Sequence, residues 1–394
     1  MTNRQDSRPP SLQSSTFIPV NEPLLDGNEK DYLMKCIATG WISSEGPFVS
    51  KFEEEFAARV RRKYGIAVAN GSAALEVAVS ALQIGRGDEV IMPTFTIISC
   101  AAAVVRAGAV PVLVDCDTLT WNMDVEKLRE RIEYEIEKKR NKKLKAIMVV
   151  HIYGLPTDMN PILELAEKHN LKIIEDAAEM HGQTYRGRPC GSFGDISTFS
   201  FYPNKHITTG EGGMIVTDDE VLAERCRSLR NLCFQPEKRF VHRELGWNFR
   251  MTNLQAAVGL AQLERLNEFV SRKRLMGRLY SELLSDVQGI ELPLVRKDYA
   301  ENIYWVYGIL IGDEVPWDAE EAMTRLEEER IGTRPFFWPM HEQPVFAKMG
   351  LFKNEHHPVA ERIARRGFYI PSGLALTNNQ IEMVAEAVKK IMQG

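Results

Sequence analysis

The sequence has few cysteines, no long apolar run and no excess of positive charge. Its 394 residues include six cysteines, none in a CxxC pair, which is too few for a disulfide scaffold. We therefore expect a reducing cytoplasm, and no metal site is predicted. The most apolar stretch, residues 97–114, is interrupted by Arg106 and Gly108, so no membrane span is expected. A net charge of −5 argues against a nucleic-acid or membrane-surface partner.

The chain reads as a lead-in followed by alternating strands and helices. Residues 1–16 are polar, lack the apolar segment of a secretory signal, and are predicted to be disordered. Apolar runs predict strands at 66–69, 89–92, 110–114, 145–150 and 172–174, and amphipathic segments predict helices at 73–82, 97–106, 125–139 and 161–169. This order predicts an α/β fold whose mainly parallel sheet is flanked by helices.

The C-terminal part has a different pattern. Apolar residues at intervals of three and four over 253–284 predict one long helix that links two domains. Beyond it, a strand region (304–311) and helices (319–328 and 380–392) predict a smaller α+β unit. We therefore expect a large domain over residues 17–265 and a small domain over 266–394.

One strand runs directly into Asn70-Gly71-Ser72 and then into a helix. A helix N-terminus has unpaired N–H groups and partial positive charge, and Gly71 allows an anion to approach the backbone. A phosphate site is one interpretation, and ordinary helix capping by the Gly-Ser pair is the other.

Two further segments carry reactive side chains. An apolar strand delivers Glu175 and Asp176 to its C-terminal end, the edge where open α/β sheets bind ligands, although Asp176 could also be a helix cap. Lys205 lies among aromatic residues and glycines rather than on a charged helix face. Desolvation there would lower the pKa of the amine and make it nucleophilic, whereas an ordinary surface lysine is the alternative.

Together the three features match the needs of one cofactor. Pyridoxal phosphate requires a lysine for its aldehyde, a carboxylate that keeps its pyridine nitrogen protonated, and an anion site for its phosphate. Lys205, Asp176 and the Gly71-Ser72 turn are candidates for these roles.

Several segments then resemble a known family, the DegT/DnrJ/EryC1/StrS sugar aminotransferases, which have the fold-type I aspartate aminotransferase scaffold. The resemblance runs from about residue 18 to the C-terminus. Its motifs are residues 40–46, 70–75, 87–90, 151–154, 175–179, 200–205 with 210–213, and 248–253.

The resemblance implies roles around the cofactor ring. Lys205 would form the Schiff base and move the proton between substrate and cofactor, and Asp176 would pair with the pyridine nitrogen. Glu179 occupies the position beside the ring's 3-hydroxyl. Ile97 stands where many relatives carry Trp or Tyr, so it would cover the ring by apolar contact without stacking.

The resemblance also implies how the phosphate is held. Gly71, Ser72 and Ser200 match the family's phosphate-binding positions. Asn248 matches a residue that usually reaches the phosphate of the neighbouring subunit's cofactor. A homodimer with shared active sites is therefore expected.

The family's reaction is a ping-pong transamination. L-glutamate donates its amine to the cofactor, which becomes pyridoxamine phosphate, and pyridoxamine phosphate then aminates a nucleotide-linked keto sugar. Residues 40–46, 248–253 and 334–341 most resemble enzymes that aminate C4 of GDP-4-keto-6-deoxymannose. By that resemblance, Trp41, Arg334, Trp338 and His341 lie near the nucleotide-sugar channel. A packed apolar loop over 335–339 is the alternative.

Other functions remain open at this point. The same scaffold can aminate C3 or C4 of a UDP- or dTDP-linked sugar, and a non-catalytic regulator that binds the cofactor is an alternative of another class. Family members that dehydrate their substrate carry histidine in place of the lysine, so Lys205 argues against that branch. A Rossmann dehydrogenase is disfavoured because the first strand-helix turn lacks GxGxxG.

Overall fold

A seven-stranded sheet forms the centre of the larger part of the chain. Its strands are β1 (Tyr64–Val68), β2 (Glu89–Pro93), β3 (Val110–Val114), β4 (Leu144–Val150), β5 (Lys172–Asp176), β6 (Ile196–Ser200) and β7 (Gly213–Thr217). The structure, a computed structural model, describes residues 17–138, 143–235 and 237–393. The predicted lead-in over residues 1–16 and the last predicted helical residue at position 139 lie outside these ranges.

The strand order is β1-β7-β6-β5-β4-β2-β3. Pairing is parallel from β6 through β5, β4 and β2 to β3, whereas β7 is antiparallel to both of its neighbours. The predicted α/β fold with a mainly parallel sheet is confirmed, with β7 as the reversed strand. Because the other strands run the same way, their carboxyl ends meet at one edge of the sheet.

Helices cover both faces of this sheet. They are α1 (Glu29–Thr39), α2 (Pro47–Arg59), α3 (Gly71–Ala81), α4 (Ile98–Arg106), α5 (Val125–Glu133), α6 (Met159–His169), α7 (Glu220–Arg230) and α8 (Asn253–Glu264). Within β1, Ile66 and Val68 pack into one hydrophobic cluster while Ala67 packs into another, so successive residues alternate between two buried faces. This two-sided burial explains why the strands read as continuous apolar runs.

Two predicted helices have different limits from those expected. The predicted helix 125–139 is α-helical only as far as Glu133 and continues as a π-helical segment over Tyr134–Lys138. The predicted single helix over 253–284 is two helices, α8 and α9 (Leu266–Leu284), interrupted at Arg265, whose ψ is 6°. The side chain of Arg265 bonds to Asp26 and Glu268, so contacts remote from the helix accompany the interruption.

A four-stranded sheet lies in the C-terminal part. Its strands are β8 (Ile290–Glu291), β9 (Tyr307–Ile311), β10 (Arg334–Pro335) and β11 (Gly367–Ile370), in the order β8-β9-β11-β10. The helices are α10 (Ala319–Glu328), α11 (Pro344–Lys348), α12 (Pro358–Arg366) and α13 (Asn378–Gln393), and α9 and α13 pack against each other. The expected smaller α+β unit is present, and its boundary at residues 265 and 266 stays a prediction.

Candidate active site

A cavity of about 540 Å³ opens at the carboxyl edge of the large sheet. Asp176 ends β5, and Thr198 of the adjacent β6 is its register partner. The chain leaves β6 toward Lys205 and leaves β1 toward Gly71, so both segments reach the cavity, which is in the size range of small-molecule sites.

The N-terminus of α3 forms one wall of the cavity. Asn70 caps the helix by accepting a hydrogen bond from the backbone N–H of Ala73, at 2.8 Å. A Cβ atom added to Gly71 would lie 2.8 Å from Cβ of Ser200, so glycine keeps this turn open. The hydroxyls of Ser72 and Ser99 are 2.8 Å apart beside it. Backbone N–H groups and hydroxyls converge here, an arrangement that suits a phosphate.

Lys205 follows a turn in which its backbone N–H donates to the carbonyl of Tyr202. Its side chain is only 10% exposed, and Nζ lies 3.8 Å from Oε1 of Glu179. Burial lowers the pKa of Lys205, and the nearby carboxylates of Glu179 and Asp176 oppose that effect. The amine is therefore closer to its reactive neutral form than a surface lysine would be.

Asp176 is 3% exposed, and its two carboxylate oxygens have different partners. Oδ1 accepts a hydrogen bond from the backbone N–H of Ala178, and the thiol of Cys100 donates to Oδ2 at 3.2 Å. Burial raises the pKa of Asp176, whereas these two donors lower it. A cation placed in the cavity beside this carboxylate would be strongly stabilised.

Glu175, the other carboxylate of this strand end, faces away from the cavity. It accepts hydrogen bonds from the backbone N–H of Phe193 at 2.8 Å and from the hydroxyl of Ser197 at 3.0 Å, and it pairs with His151 at 3.1 Å. Burial alone would raise the pKa of Glu175, but the hydrogen bonds and the contact with His151 lower that pKa to about 2. Alternation along the strand thus separates a structural carboxylate from the cavity-facing Asp176.

Glu179 is a buried carboxyl group beside the Lys205 amine. Oε2 accepts a hydrogen bond from the backbone N–H of Tyr153 at 2.7 Å. Burial raises the pKa of Glu179 from 4.5 to about 8. The side chain can therefore hold a proton at neutral pH.

This raised pKa predicts a pH-dependent stability difference for Glu179→Gln. Between about pH 5 and about pH 8 the unfolded wild-type chain has lost the proton that the folded chain retains, so the free energy of unfolding falls as the pH rises. Glutamine does not titrate, so the stability of the variant relative to wild type should increase across this range. Thermal unfolding of the cofactor-free proteins measures the difference. The exposed Glu224→Gln is the control, and a constant difference for Glu179→Gln would contradict the expectation.

Aromatic side chains from the C-terminal part close the cavity, and the sequence analysis did not predict them. Trp305, Phe337 and Tyr369 line it together with residues of the large sheet. Trp305 precedes β9 and Tyr369 lies on β11, far along the chain from Lys205. Only the neighbouring predictions at 334–341 pointed to this region. Ser99 also lines the cavity, and its position two residues after Ile97 was the available signal.

The other predicted cofactor residues differ in position. Ile97 is the N-cap residue of α4, lines the cavity and is 43% exposed, so an apolar surface faces the space. Asn248 does not line the cavity of its own chain. It is exposed and forms an isolated bridge with Asn231.

The predicted substrate residues lie outside the cavity lining of this chain. Trp41 is 49% exposed and Trp338 is 44% exposed. Arg334 is exposed and pairs in register with Tyr369, which does line the cavity. Trp338 directly follows Phe337, another lining residue. Their role as substrate contacts stays a prediction.

His341 is buried, and both of its ring nitrogens have partners within the chain. Nδ1 lies 2.8 Å from the hydroxyl of Thr94, and Nε2 lies 3.0 Å from Oε1 of Glu361. Potential ligand atoms of His341, Glu342 and Glu361 lie within 4.8 Å of one another, but Arg365 pairs with Glu342 at 2.7 Å. The structure therefore shows His341 in an internal network, and its predicted substrate contact stays untested.

Comparison with known proteins identifies relatives along nearly the whole chain. The model of the DegT/DnrJ/EryC1/StrS aminotransferase family matches residues 23–389. The GDP-perosamine synthases of Escherichia coli O157:H7 and Caulobacter vibrioides are each 42% identical, over 95% of this chain and 98% of theirs. The crystal structure of S. venezuelae DesV is 32% identical and superposes with a TM-score of 0.84, covering 93% of this chain and 95% of that one.

Proposed function

The chain belongs to the DegT/DnrJ/EryC1/StrS aminotransferase family and is a pyridoxal-phosphate-dependent sugar aminotransferase, and from that premise we propose that it converts GDP-4-keto-6-deoxymannose to GDP-perosamine with L-glutamate as amine donor. The observation that carries this proposal is the 42% identity, over 95% of the chain, to two GDP-perosamine synthases. The likeness extends across the segments that supply the cavity.

The residues of the cavity fit pyridoxal phosphate. The turn at Gly71 would be filled by a Cβ atom, and it lies against Ser200 with the Ser72 hydroxyl beside it, so it can hold the phosphate. Asp176 is a buried carboxyl group whose pKa stays raised despite its two hydrogen-bond donors, so a cation placed beside it would stabilise its charged form. Lys205 is a buried amine with a lowered pKa, as an amine that reacts with an aldehyde requires.

When bound, the cofactor supplies an electron sink that weakens a C–H bond beside nitrogen. Nζ of Lys205 takes the proton from the α-carbon of glutamate and returns a proton to C4 of the sugar in the second half of the reaction. Asp176 would keep the ring nitrogen protonated by its negative charge. Glu179 would lie on the side of the 3-hydroxyl and could hold a proton there, which its raised pKa allows. Trp305, Phe337 and Tyr369 limit access of water to the reacting atoms.

A second copy of the chain is the proposed partner. Asn248 is exposed and does not contribute to the cavity of its own chain, so it is free to reach the phosphate in a neighbouring subunit. We place this homodimer in the cytoplasm. Support comes from six cysteines that are all free thiols, as a reducing compartment requires. Among the described residues, no helix is long and apolar enough to span a membrane.

A screen of keto sugars tests the substrate. The purified enzyme with L-glutamate is incubated with GDP-, UDP- and dTDP-linked 4-keto-6-deoxy sugars and with a UDP-linked 3-keto sugar. We expect the GDP-linked substrate to give kcat/KM at least about tenfold above the others, because a nucleotide site built to hydrogen-bond one base discriminates against bases that lack those groups. NMR of the product shows which carbon gained nitrogen.

The outcomes separate the candidate functions. Nitrogen at C4 of the GDP-sugar supports the proposal. Nitrogen at C3, or a preference for a UDP- or dTDP-linked sugar, replaces it with another sugar aminotransferase activity. If the protein forms no 2-oxoglutarate from glutamate with any of the sugars, the result would favour a non-catalytic regulator.

A further inference from the structure

The amine of Lys205 lies against the face of an aromatic ring from the C-terminal part of the chain. Nζ is 3.9 Å from the centroid of the Trp305 ring and 3.8 Å from Oε1 of Glu179. Trp305 is 3% exposed, so this contact is shielded from water. A desolvated ammonium group over an indole face is a strong form of the cation–π interaction.

Two hydrogen bonds fix Trp305 in this position. Its indole Nε1–H donates to the backbone carbonyl of Asn204, the residue before Lys205, at 2.9 Å. Its own backbone carbonyl accepts a hydrogen bond from Nζ of Lys273 at 2.8 Å. The indole ring is thus hydrogen-bonded to the lysine-bearing turn, and the backbone of Trp305 is hydrogen-bonded to helix α9.

Lys273 is an unusual residue to find in this place. It is 2% exposed, and its amine also donates to the backbone carbonyl of Ser372. No carboxylate pairs with it among the described residues, and burial, with no opposing charge, lowers its pKa to about 7. Burying a lysine without a counter-charge costs free energy. The hydrogen bonds to the carbonyls of Trp305 and Ser372 offset part of that cost and fix the backbone at both residues.

We propose that Trp305 is a positioning residue that holds the amine of Lys205 beside the reacting atoms whenever that amine is free, and that Lys273 fixes Trp305 for this task. The inference rests on the proposed function, because a transaminase lysine must leave the cofactor and act as a base in every cycle. The ring face gives the released amine a defined place within reach of the cavity. Glu179 is the other group at this place, Asp176 and Cys100 also act on the amine through their charges, and the buried rings of His181 and His206 interact electrostatically with it.

Competitive labelling of the cofactor-free protein tests the contact without using activity. Acetic anhydride is applied from about pH 6 to about pH 11, and mass spectrometry of the Lys205 peptide gives the midpoint of its titration. In Trp305→Leu, an apolar side chain without a ring face, we expect the midpoint to fall by about one pH unit. Trp305→Phe loses the same hydrogen bond to Asn204 but keeps a ring face, so its midpoint should move by less than half as much.

Three further measurements complete the test. Trp317→Leu removes a tryptophan that contacts Arg325 away from the cavity, and it should leave the midpoint unchanged. In the loaded enzyme, Trp305→Leu should lower kcat by about tenfold with little change in the KM for glutamate, and phenylalanine should restore most of the loss. Lys273→Met should shift the midpoint in the same direction as Trp305→Leu. If that variant does not fold, the two Trp305 variants decide.

Equal midpoints in wild type and Trp305→Leu, or equal shifts in the leucine and phenylalanine variants, would overturn the inference. These results would leave the proposed function standing if wild-type protein transfers the amine. Absence of amino transfer by wild type would instead defeat the proposed function, and the labelling would still report on the ring contact.

Discussion

Replacing Lys205 by alanine is expected to reduce amino transfer by at least about 10³-fold, because the change removes both a nucleophile and a general base whose separate contributions are of order 10²–10⁴. Lys205 is the only lysine among the residues that line the cavity. Its amine is held at 3.8 Å from Glu179 and 3.9 Å from the Trp305 ring centroid. The rate of formation of the amino sugar, followed by mass spectrometry, measures the loss.

The fold should survive this change. Burying the Lys205 amine costs desolvation energy, which its lowered pKa reflects, so alanine should leave the unfolding temperature of the cofactor-free protein at or above the wild-type value. Lys172→Ala is a matched control. Lys172 begins strand β5, at the end opposite Asp176, and its side chain is 58% exposed and pairs with Asp195. Addition of ethylamine should restore part of the activity of Lys205→Ala. Activity within tenfold of wild type would contradict the assigned role.

The local sequence was sufficient to predict the candidate cofactor-binding residues at the carboxyl edge of the sheet. Asp176 ends strand β5 and Gly71 follows shortly after strand β1, and parallel strands bring such positions to one edge. The strand that precedes Lys205, β6, was not predicted, and Lys205 was identified from the aromatic residues and glycines around it. The sequence therefore predicted the mainly parallel sheet, and the requirements of one cofactor grouped Gly71, Asp176 and Lys205. Their chemical roles remain predictions that the variants test.

Other features depend on contacts that local sequence does not show. Trp305 and Tyr369 reach the cavity through contacts with residues remote in the chain, such as Tyr153, and nothing in their sequence neighbourhoods signals this. The break between α8 and α9 contains neither glycine nor proline, and the apolar spacing continues across it. Arg265 bonds to Asp26, more than two hundred residues away in the chain, so a tertiary contact that local sequence does not show accompanies this break.

The reversed strand is a further case. Gly213–Thr217 is a buried, largely apolar run like the parallel strands of the sheet, but it is antiparallel to both of its neighbours and follows the connection from Ser200 through the lysine turn. The connection over residues 201–212 contains no helix that could carry the chain across a face of the sheet, and the chain turns back beside β6. The same geometry confines Lys205 to the edge of the sheet. Strand direction and site position therefore have one cause.

Replacing Asp176 by asparagine is expected to lower kcat by about 10²- to 10³-fold, because a buried ion pair with the protonated ring nitrogen is worth about 3–5 kcal/mol when one partner is removed. Asparagine keeps the size of the side chain and can still accept from the backbone N–H of Ala178. It cannot supply the negative charge that holds the ring proton. The rate with GDP-4-keto-6-deoxymannose and the dissociation constant of the cofactor, measured by its absorbance, should both change.

Stability should move in the opposite direction to activity. In the cofactor-free protein, burial raises the pKa of Asp176, so its charge opposes folding at neutral and higher pH. Asp176→Asn should therefore unfold at the same or a higher temperature than wild type, with the advantage growing as the pH rises above the ordinary aspartate pKa of about 4 and through the raised pKa of the folded protein. Asp313→Asn, whose side chain is 69% exposed beside Arg362, should change neither property. If Asp176→Asn loses both stability and activity, Asp176 supports the fold. If the variant loses activity but keeps or gains stability, the charge of Asp176 serves the reaction and lowers the stability of the cofactor-free protein.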